Sequence, residues 1–292
     1  MFGEEKMERI QLHDKEIYDG ASAVTLEKWL HSDSPEMTKG RRPAMVVFPG
    51  GGYAFCSDRE AEPIASAYFA EGYNCFVLRY ITGEKAKISN PLYDAAAAVA
   101  HIRKNAEAYN VDASRIAVIG FSAGGHLAGF IATSWHRSDI AEKLDIDSEL
   151  CRPNAAILCY PVITCNVLTH NASFDNLLGA DRSDELTSTA NLDELVDERT
   201  CPCFVWHTAN DDAVPVANSL AFVRALTDKK IPCELHIFPD GKHGLSRANA
   251  ETSPDWSKGE YNIPYVARWM HWSQLWLEQT FYGGHYNLNP NL

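Results

Sequence analysis

The chain has 292 residues, of which 46% are hydrophobic and 22% charged, and this is enough apolar material for one large α/β domain or two small ones. Its formal net charge of −13 argues against nucleic acid and anionic membranes as partners, because both repel an acidic surface. The charged N-terminus lacks the apolar stretch of a signal peptide, and no apolar run reaches the roughly 20 residues of a membrane span, so we expect a cytoplasmic protein.

The eight cysteines lie mostly inside apolar, strand-like segments. In a chain without an export signal, this placement is typical of reduced, buried thiols. Cys201 and Cys203 stand close together, but no second pair of cysteine or histidine residues has the spacing of a zinc site. We therefore expect structural cysteines and no metal or other cofactor.

Short apolar segments alternate with helical patterns along most of the chain. Strands are predicted at residues 23–30, 44–48, 75–80, 116–119, 155–160, 203–206 and 233–238, and helices at 57–71, 90–110, 126–135, 215–229 and 265–281. Strands separated by helices, without a linker between them, predict one α/β domain over residues 1–292. Its mainly parallel sheet would carry helices on both faces.

The start of the first predicted helix depends on a short local motif. Ser57 and Glu60 have the spacing of a capping box, in which the two side chains bind the free backbone N–H groups of a helix start. Gly72 supplies a typical end for that helix. The motif therefore predicts a helix that begins near Ser57.

Two segments in the second half of the chain have open or alternative interpretations. Residues 163–200 interrupt the alternation with polar, acidic sequence, which is typical either of a lid over a site or of a solvated loop. In the last predicted helix, Trp269, Trp272 and Trp276 recur at helical spacing, which favours core packing over a binding surface. The tail 283–292 follows, and its GGHY segment together with this aromatic helix could join subunits of a homo-oligomer.

Residues 116–125 read IAVIGFSAGG, an apolar strand that leads into a glycine-rich turn with Ser122 at its apex. The G-x-S-x-G spacing has a steric reason, because side chains at positions 120 and 124 would collide with backbone around a turn that exposes the serine hydroxyl. The helix that follows presents free N–H groups, which favour developing negative charge. Ser122 is therefore the candidate nucleophile.

A serine nucleophile needs a base and an acid that orients the base. His243 follows the strand at 233–238, and Asp211 follows the strand at 203–206, so both lie at the strand edge where open α/β sheets build their sites. The order Ser122, Asp211, His243 is the one expected when the serine follows a central strand. Asp212 is the alternative acid. His126 is the nearest other histidine, but it would point along the helix after the serine.

Acyl transfer also needs donors for the oxyanion. The backbone N–H of Ala123, directly after the serine, is one candidate. The three glycines after the strand at 44–48 are the second source, with Gly51 and Gly52 both left open. Tyr53 and Tyr160 are candidate substrate-binding walls, although a core role fits each equally well.

Four segments carry a resemblance to a known family. They read PGGGY with SDRE (49–60), RIAVIGFSAGGHLAG (115–129), HTANDDAVPVANSL (207–220) and ELHIFPDGKHG (234–244). The chain resembles serine esterases of the α/β-hydrolase superfamily, in particular the carbohydrate acetyl esterases such as acetyl-xylan esterase, near the hormone-sensitive-lipase-like enzymes. The resemblance implies an α/β-hydrolase fold, a catalytic triad of Ser122, Asp211 and His243, and oxyanion donors at Gly51, Gly52 and Ala123.

Together these features predict a serine carboxylic ester hydrolase for small-molecule, short-chain acyl esters, with acetylated sugars or xylo-oligosaccharides as candidate substrates. Two alternatives remain. A prolyl-oligopeptidase-type peptidase shares the strand order but generally carries a large N-terminal gating domain, for which the residues before 44 are too few. A non-catalytic small-ligand binder on the same fold would be expected to lack a member of the triad, and none is missing.

Overall fold

A computed structural model describes residues 7–32, 34, 36–37, 40–166, 170–179, 182–255 and 259–283. The strands are β1 Met7–Gln11, β2 Thr25–Trp29, β3 Arg42–Phe48, β4 Asn74–Arg79, β5 Val111–Phe121, β6 Ala155–Cys159, β7 Cys203–Thr208 and β8 Cys233–Phe238. They form one sheet in the order β1-β2-β4-β3-β5-β6-β7-β8. Neighbours from β4 to β8 run parallel, and β1 and β2 are antiparallel additions at one edge.

The α-helices in this part of the chain are α1 Glu62–Ala70, α2 Asn90–Lys104, α3 Ala123–Ser134, α4 Ser138–Leu144, α5 Asn171–Leu178, α6 Asp184–Ser188, α7 Leu192–Leu195, α8 Ala217–Asp228 and α9 Trp269–Tyr282. One face of the sheet packs against α2, α3 and α8, and the other face packs against α1 and α9. The predicted α/β sheet with helices on both faces is confirmed.

Strand β3 shows why the predicted strands read as continuous apolar runs. Ala44, Val46 and Phe48 contribute to one core, whereas Met45 and Val47 contribute to the other. Successive side chains of a strand point to opposite faces, so a strand between two cores needs an apolar residue at every position.

The predicted helix start at Ser57 is wrong. Residues Asp58–Glu60 form a single 3-10 turn, the Ser57 side chain makes no capping hydrogen bond, and α1 begins at Glu62. Pro63 at the start of α1 suits a first turn, where a backbone N–H is not needed. The buried carboxyl of Glu60 instead accepts hydrogen bonds from the N–H of Gly50, in the glycine loop 50–52 that follows β3, and from the hydroxyl of Tyr160.

The insertion between β6 and β7 packs against the rest of the protein. Phe174 and Leu177 of α5 and Leu192 of α7 are buried in the core. A Cβ placed on Gly129 of α3 would lie 2.6 Å from Leu192 Cδ1, so the glycine makes room for this contact. The insertion is thus not a solvated loop, and its interpretation as a lid stays a prediction. Residues 167–169 and 180–181 lie outside the described part.

The C-terminal helix docks as the tryptophan pattern predicts. Trp269 and Trp276 are buried in the core beneath α9, and Trp272 packs against it while partly buried. The predicted oligomerisation tail, apart from Gly283, lies outside the described residues.

All eight cysteines lie in the described part and carry free thiols, five of them buried. Among the described residues, no group of three histidine, cysteine, aspartate or glutamate side chains is placed to hold a metal ion. No helix of the described part has both the length and the apolar character needed to cross a membrane.

Candidate active site

Ser122 occupies the turn between β5 and α3 in a strained conformation, with φ 54° and ψ −116°. A Cβ on Gly120 would lie 1.9 Å from the Gly124 carbonyl oxygen, and a Cβ on Gly124 would lie 2.1 Å from the Phe48 carbonyl oxygen. Both contacts are far too short for a side chain, so the steric reason for the G-x-S-x-G spacing is confirmed.

Three side chains from the ends of three strands lie in one line of hydrogen bonds. His243, in the loop after β8, places Nε2 2.8 Å from Ser122 Oγ. Its Nδ1 lies 2.8 Å from Oδ2 of Asp211, which follows β7. Because a carboxylate only accepts, Nδ1–H donates to Asp211 and Nε2 is left to accept the serine proton.

Asp211 is held as an ionised carboxylate. Its side chain is 1% exposed, and Oδ1 accepts the N–H groups of Ala213 and Val214 at 2.9 and 2.8 Å. Burial alone would raise the pKa of Asp211, but hydrogen bonds from His207 and His243 outweigh burial and hold that pKa well below its ordinary value. The carboxylate therefore keeps its negative charge next to His243 throughout the neutral range.

Asp212 and His207 lie beside the line of hydrogen bonds from Ser122 to Asp211 and contact its members. Asp212 Oδ1 accepts the backbone N–H of His243 at 3.0 Å, so it contacts the loop rather than the imidazole. His207 Nε2 lies 3.2 Å from Asp211 Oδ2, and its Nδ1 lies 2.8 Å from Ser219 Oγ. Sequence reasoning did not assign His207 a role, although its position four residues before the acid was a usable signal.

The glycine loop after β3 narrows the choice of oxyanion donors. The N–H of Gly50 donates to Glu60 Oε2 at 2.8 Å and is therefore occupied. Gly51 and Gly52 have φ of 125° and 63°, in the region that favours glycine. Among the residues described, none accepts the N–H of Gly51, Gly52 or Ala123. These three N–H groups remain available, and the choice between the two glycines stays open.

Tyr53 and Tyr160 lie in the core rather than on a pocket wall. Each is only 1% exposed. The Tyr53 hydroxyl lies 2.7 Å from His126 Nδ1, and the Tyr160 hydroxyl donates to Glu60 Oε1 at 2.7 Å. Their assignment as substrate-binding walls is corrected to a core role, because each ring is covered and each hydroxyl already has a protein partner.

His126 is excluded as the base by its own hydrogen bonds. Its Nε2–H donates to the Ala190 carbonyl at 2.9 Å, so Nδ1 accepts from the Tyr53 hydroxyl. Burial lowers the pKa of His126 to about 4, and the bond to Ala190 offsets only part of this effect. The ring is therefore neutral, and neither of its nitrogens is free to take a proton from Ser122.

The lowered pKa of His126 predicts that the stability of the fold depends on pH. Because its folded pKa of about 4 is below the ordinary 6.5, the unfolded chain binds the extra proton between these pH values. We expect the free energy of unfolding to fall on acidification through this window, with about 3 kcal/mol as the upper limit from His126. His126→Gln keeps one donor and one acceptor, so it should flatten the fall.

Urea unfolding at several pH values measures this effect. The exposed His271→Gln is the matched control, and it should retain the wild-type slope. Parallel slopes for His126→Gln and the wild-type chain would contradict the assignment.

The insertion helix α5 approaches the site from the side of the glycine loop. Asn176 Nδ2 donates to the Gly52 carbonyl at 2.8 Å. His170, directly before α5, has Nδ1 2.9 Å from Ser173 Oγ. Burial, followed by the charge of the nearby His243, lowers the pKa of His170. No sequence motif marks these residues, and only the fold brings them to the site.

Comparison with known proteins identifies the family. The BD-FAE family profile matches residues 32–226, well over half of the chain. The chain belongs to the BD-FAE family. The matched range includes the glycine loop, Ser122 and Asp211 and ends before His243.

Two curated proteins resemble this BD-FAE member over most of its length. Endo-1,4-beta-xylanase B of Butyrivibrio fibrisolvens is 41% identical over 244 residues, which cover 82% of the chain and 37% of that protein. The acetylxylan esterase of Xylanibacter ruminicola is 31% identical over 217 residues, which cover 72% of the chain and 42% of that protein. The chain thus spans about two fifths of the length of these relatives.

A solved structure matches the BD-FAE chain nearly end to end. The acetyl ester-xyloside bifunctional hydrolase of Caldicellulosiruptor lactoaceticus has a TM-score of 0.79 and 34% identity, with 93% of the chain and 96% of that structure covered. MGS-M1, an α/β-hydrolase enzyme from a Medee basin deep-sea metagenome library, has a TM-score of 0.75 and 37% identity, with 94% of the chain and 97% of that structure covered. The sheet order and these similarities establish the α/β-hydrolase fold that the resemblance implied.

Proposed function

We propose that the chain is a serine carboxylic ester hydrolase that removes short acyl groups, with acetyl esters of xylo-oligosaccharides as its substrates. The observation that carries this proposal is the line of hydrogen bonds from Ser122 through His243 to Asp211. Membership of the BD-FAE family supports it. The names of the acetylxylan esterase and the acetyl ester-xyloside hydrolase support the choice of acetyl group and sugar.

In the acylation step, Ser122 Oγ attacks the ester carbonyl carbon while His243 Nε2 takes the hydroxyl proton. Asp211 stays ionised, holds the imidazole tautomer and offsets the charge of the imidazolium. The tetrahedral intermediate then expels the alcohol, which receives the proton from Nε2. Water repeats the sequence on the acyl-serine, releases the carboxylic acid and restores the hydroxyl of Ser122.

The oxyanion of each tetrahedral intermediate is assigned to backbone donors. Ala123 is the first residue of α3, so its N–H belongs to the positive end of that helix. The second donor is Gly51 or Gly52, whose N–H groups have no described acceptor. Such donors stabilise charge that develops only in the transition state, which makes them effective for catalysis.

The packing beside Gly52 supports a short acyl group. A Cβ on Gly52 would lie 3.8 Å from Ser173 Oγ, and Asn176 holds the Gly52 carbonyl. Behind them, Phe174 packs edge-to-face on His126 with ring centroids 5.3 Å apart. An acyl chain that extended from the glycine loop towards α5 would therefore meet the buried Ser173 and Phe174.

A substrate panel tests the proposal. We expect kcat/KM to be highest for p-nitrophenyl acetate and at least about tenfold lower for the octanoate, since one misplaced methylene already costs about tenfold or more in a filled pocket. Acetylated xylo-oligosaccharides should release acetate. Preferred cleavage of an acyl-Pro-anilide would favour the peptidase alternative. Failure of a fluorophosphonate probe to label Ser122 would favour the binder.

A further inference from the structure

We infer that Glu60 is a positioning residue that fixes the position of the glycine loop relative to the His243 loop. This inference rests on the proposed ester hydrolysis, because it assigns a role within that same site. Glu60 would not touch the substrate. It would act through two neighbours, Gly50 on one side and Tyr160 on the other.

Glu60 is a buried carboxyl with both oxygens engaged. It is 3% exposed, its Oε2 accepts the N–H of Gly50 at 2.8 Å, and its Oε1 accepts the hydroxyl of Tyr160 at 2.7 Å. No lysine or arginine of the described residues forms an ion pair with it. Burying a carboxyl without a cation is costly, so the two hydrogen bonds must be strong enough to hold it there.

On the first side, Glu60 fixes the peptide unit that leads into the proposed oxyanion loop. The N–H of Gly50 binds Glu60, while the carbonyl of Pro49 in the same peptide unit accepts the Tyr80 hydroxyl at 2.6 Å. A Cβ on Gly50 would lie 2.5 Å from Glu60 Oε2 and 3.2 Å from Ser122 Cβ. Gly50 therefore lies between the Glu60 carboxylate and Ser122. By binding the N–H of Gly50, the carboxylate fixes the direction in which the glycine loop leaves β3.

On the second side, Glu60 reaches the loop of the base through Tyr160. The Tyr160 hydroxyl donates to Glu60 and accepts the N–H of Ser246 at 2.8 Å. Its ring packs edge-to-face on the ring of His243, with centroids 5.1 Å apart. Arg59 adds to this support, because it donates to the Gly244 carbonyl at 3.1 Å.

This arrangement links the two halves of the proposed machinery through one side chain. The oxyanion donors come from the loop after β3, whereas the base comes from the loop after β8, and these strands are far apart in the sheet. A displacement of about 1 Å between reacting groups is enough to cost on the order of 10² in rate. A buried carboxylate that binds the glycine loop directly and contacts the His243 loop through Tyr160 is suited to prevent such a displacement.

The experiment compares Glu60→Gln, Glu60→Ala, Tyr160→Phe and the double variant Glu60→Gln/Tyr160→Phe with Glu62→Gln, which changes an exposed glutamate at the start of α1 and is the matched control. Active serines are counted by fluorophosphonate labelling taken to completion. The kcat for p-nitrophenyl acetate is then expressed per labelled serine, and KM is taken from the same measurements. This separates a loss of positioning from a loss of folded protein.

We expect Glu60→Ala to lower kcat per labelled serine by on the order of 10², with KM changed by less than about threefold. Glu60→Gln should lose about tenfold, because its amide keeps an acceptor for Gly50 but presents a donor to Tyr160. Tyr160→Phe should also lose several-fold, and its effect should not add to that of Glu60→Gln. Glu62→Gln should match the wild-type chain.

Wild-type kcat per labelled serine in both Glu60 variants would overturn the inference, even if their thermal stability fell. If Glu60→Ala yields no labelled serine, the inference is tested by Glu60→Gln and Tyr160→Phe. Wild-type kcat in those two variants would also overturn the inference. The proposed function fails separately, if the wild-type chain neither labels nor hydrolyses the ester.

Discussion

Ser122→Ala is expected to lower the turnover of p-nitrophenyl acetate by on the order of 10⁴- to 10⁶-fold. Without Oγ no acyl-serine forms, and His243 has no hydroxyl to deprotonate. Water acting beside the proposed oxyanion donors would supply the rate that remains.

This variant should remain folded. Ser122 has φ 54°, which alanine must also adopt, and the backbone bonds of position 122 to Cys159 and Val162 do not involve the hydroxyl. A melting curve close to the wild-type one, together with the full activity of the exposed control Ser138→Ala, would assign the loss to chemistry. Retention of near-normal turnover in Ser122→Ala would end the proposed mechanism.

Asp211→Asn is expected to lower kcat/KM near neutral pH by on the order of 10³ to 10⁴. The introduced amide can still accept the N–H groups of Ala213 and Val214 through its oxygen. Its NH₂ group would then face His243 Nδ1 and donate to it. That reverses the tautomer, so Nε2 carries the proton and cannot accept another from the serine.

Asp212→Asn is the comparison that decides between the two adjacent acids. Asp212 accepts only the backbone N–H of His243, and an amide oxygen accepts equally well. We expect a loss below about tenfold, since one neutral hydrogen bond replaces a charged one. A larger loss in Asp212→Asn than in Asp211→Asn would transfer the role of orienting acid to Asp212.

The order and spacing of motifs predicted much of the site. Ser122, Asp211 and His243 each follow a short apolar run, and parallel strands that share one sheet place their carboxyl ends at a common edge. A strand between two cores must be apolar throughout, so these runs were visible in the sequence. The structure places His243 within hydrogen-bond distance of both Ser122 and Asp211.

Local sequence patterns gave wrong or open predictions for residues whose partners lie far away in the chain. Glu60 has the spacing of a capping box, but its carboxyl binds Gly50 and a tyrosine one hundred residues away. In the sequence, Tyr53 and Tyr160 fit a substrate-binding wall and a core position equally well, because the neighbouring residues do not show whether a ring is covered. His170 has no motif at all, and it reaches the neighbourhood of the site only because α5 packs on the glycine loop.

The sequence by itself therefore determined the α/β class, the glycine positions that the serine turn demands, and the chain order of the proposed nucleophile, acid and base. These follow from side-chain periodicity and backbone sterics, which act over a few residues. Only the tertiary structure decided that the Gly50 N–H is occupied, that His126 is neutral and buried, and that the Glu60 carboxyl binds both Gly50 and Tyr160. Hydrogen-bond partners and burial depend on segments far apart in the chain, and these meet only once the sheet has formed.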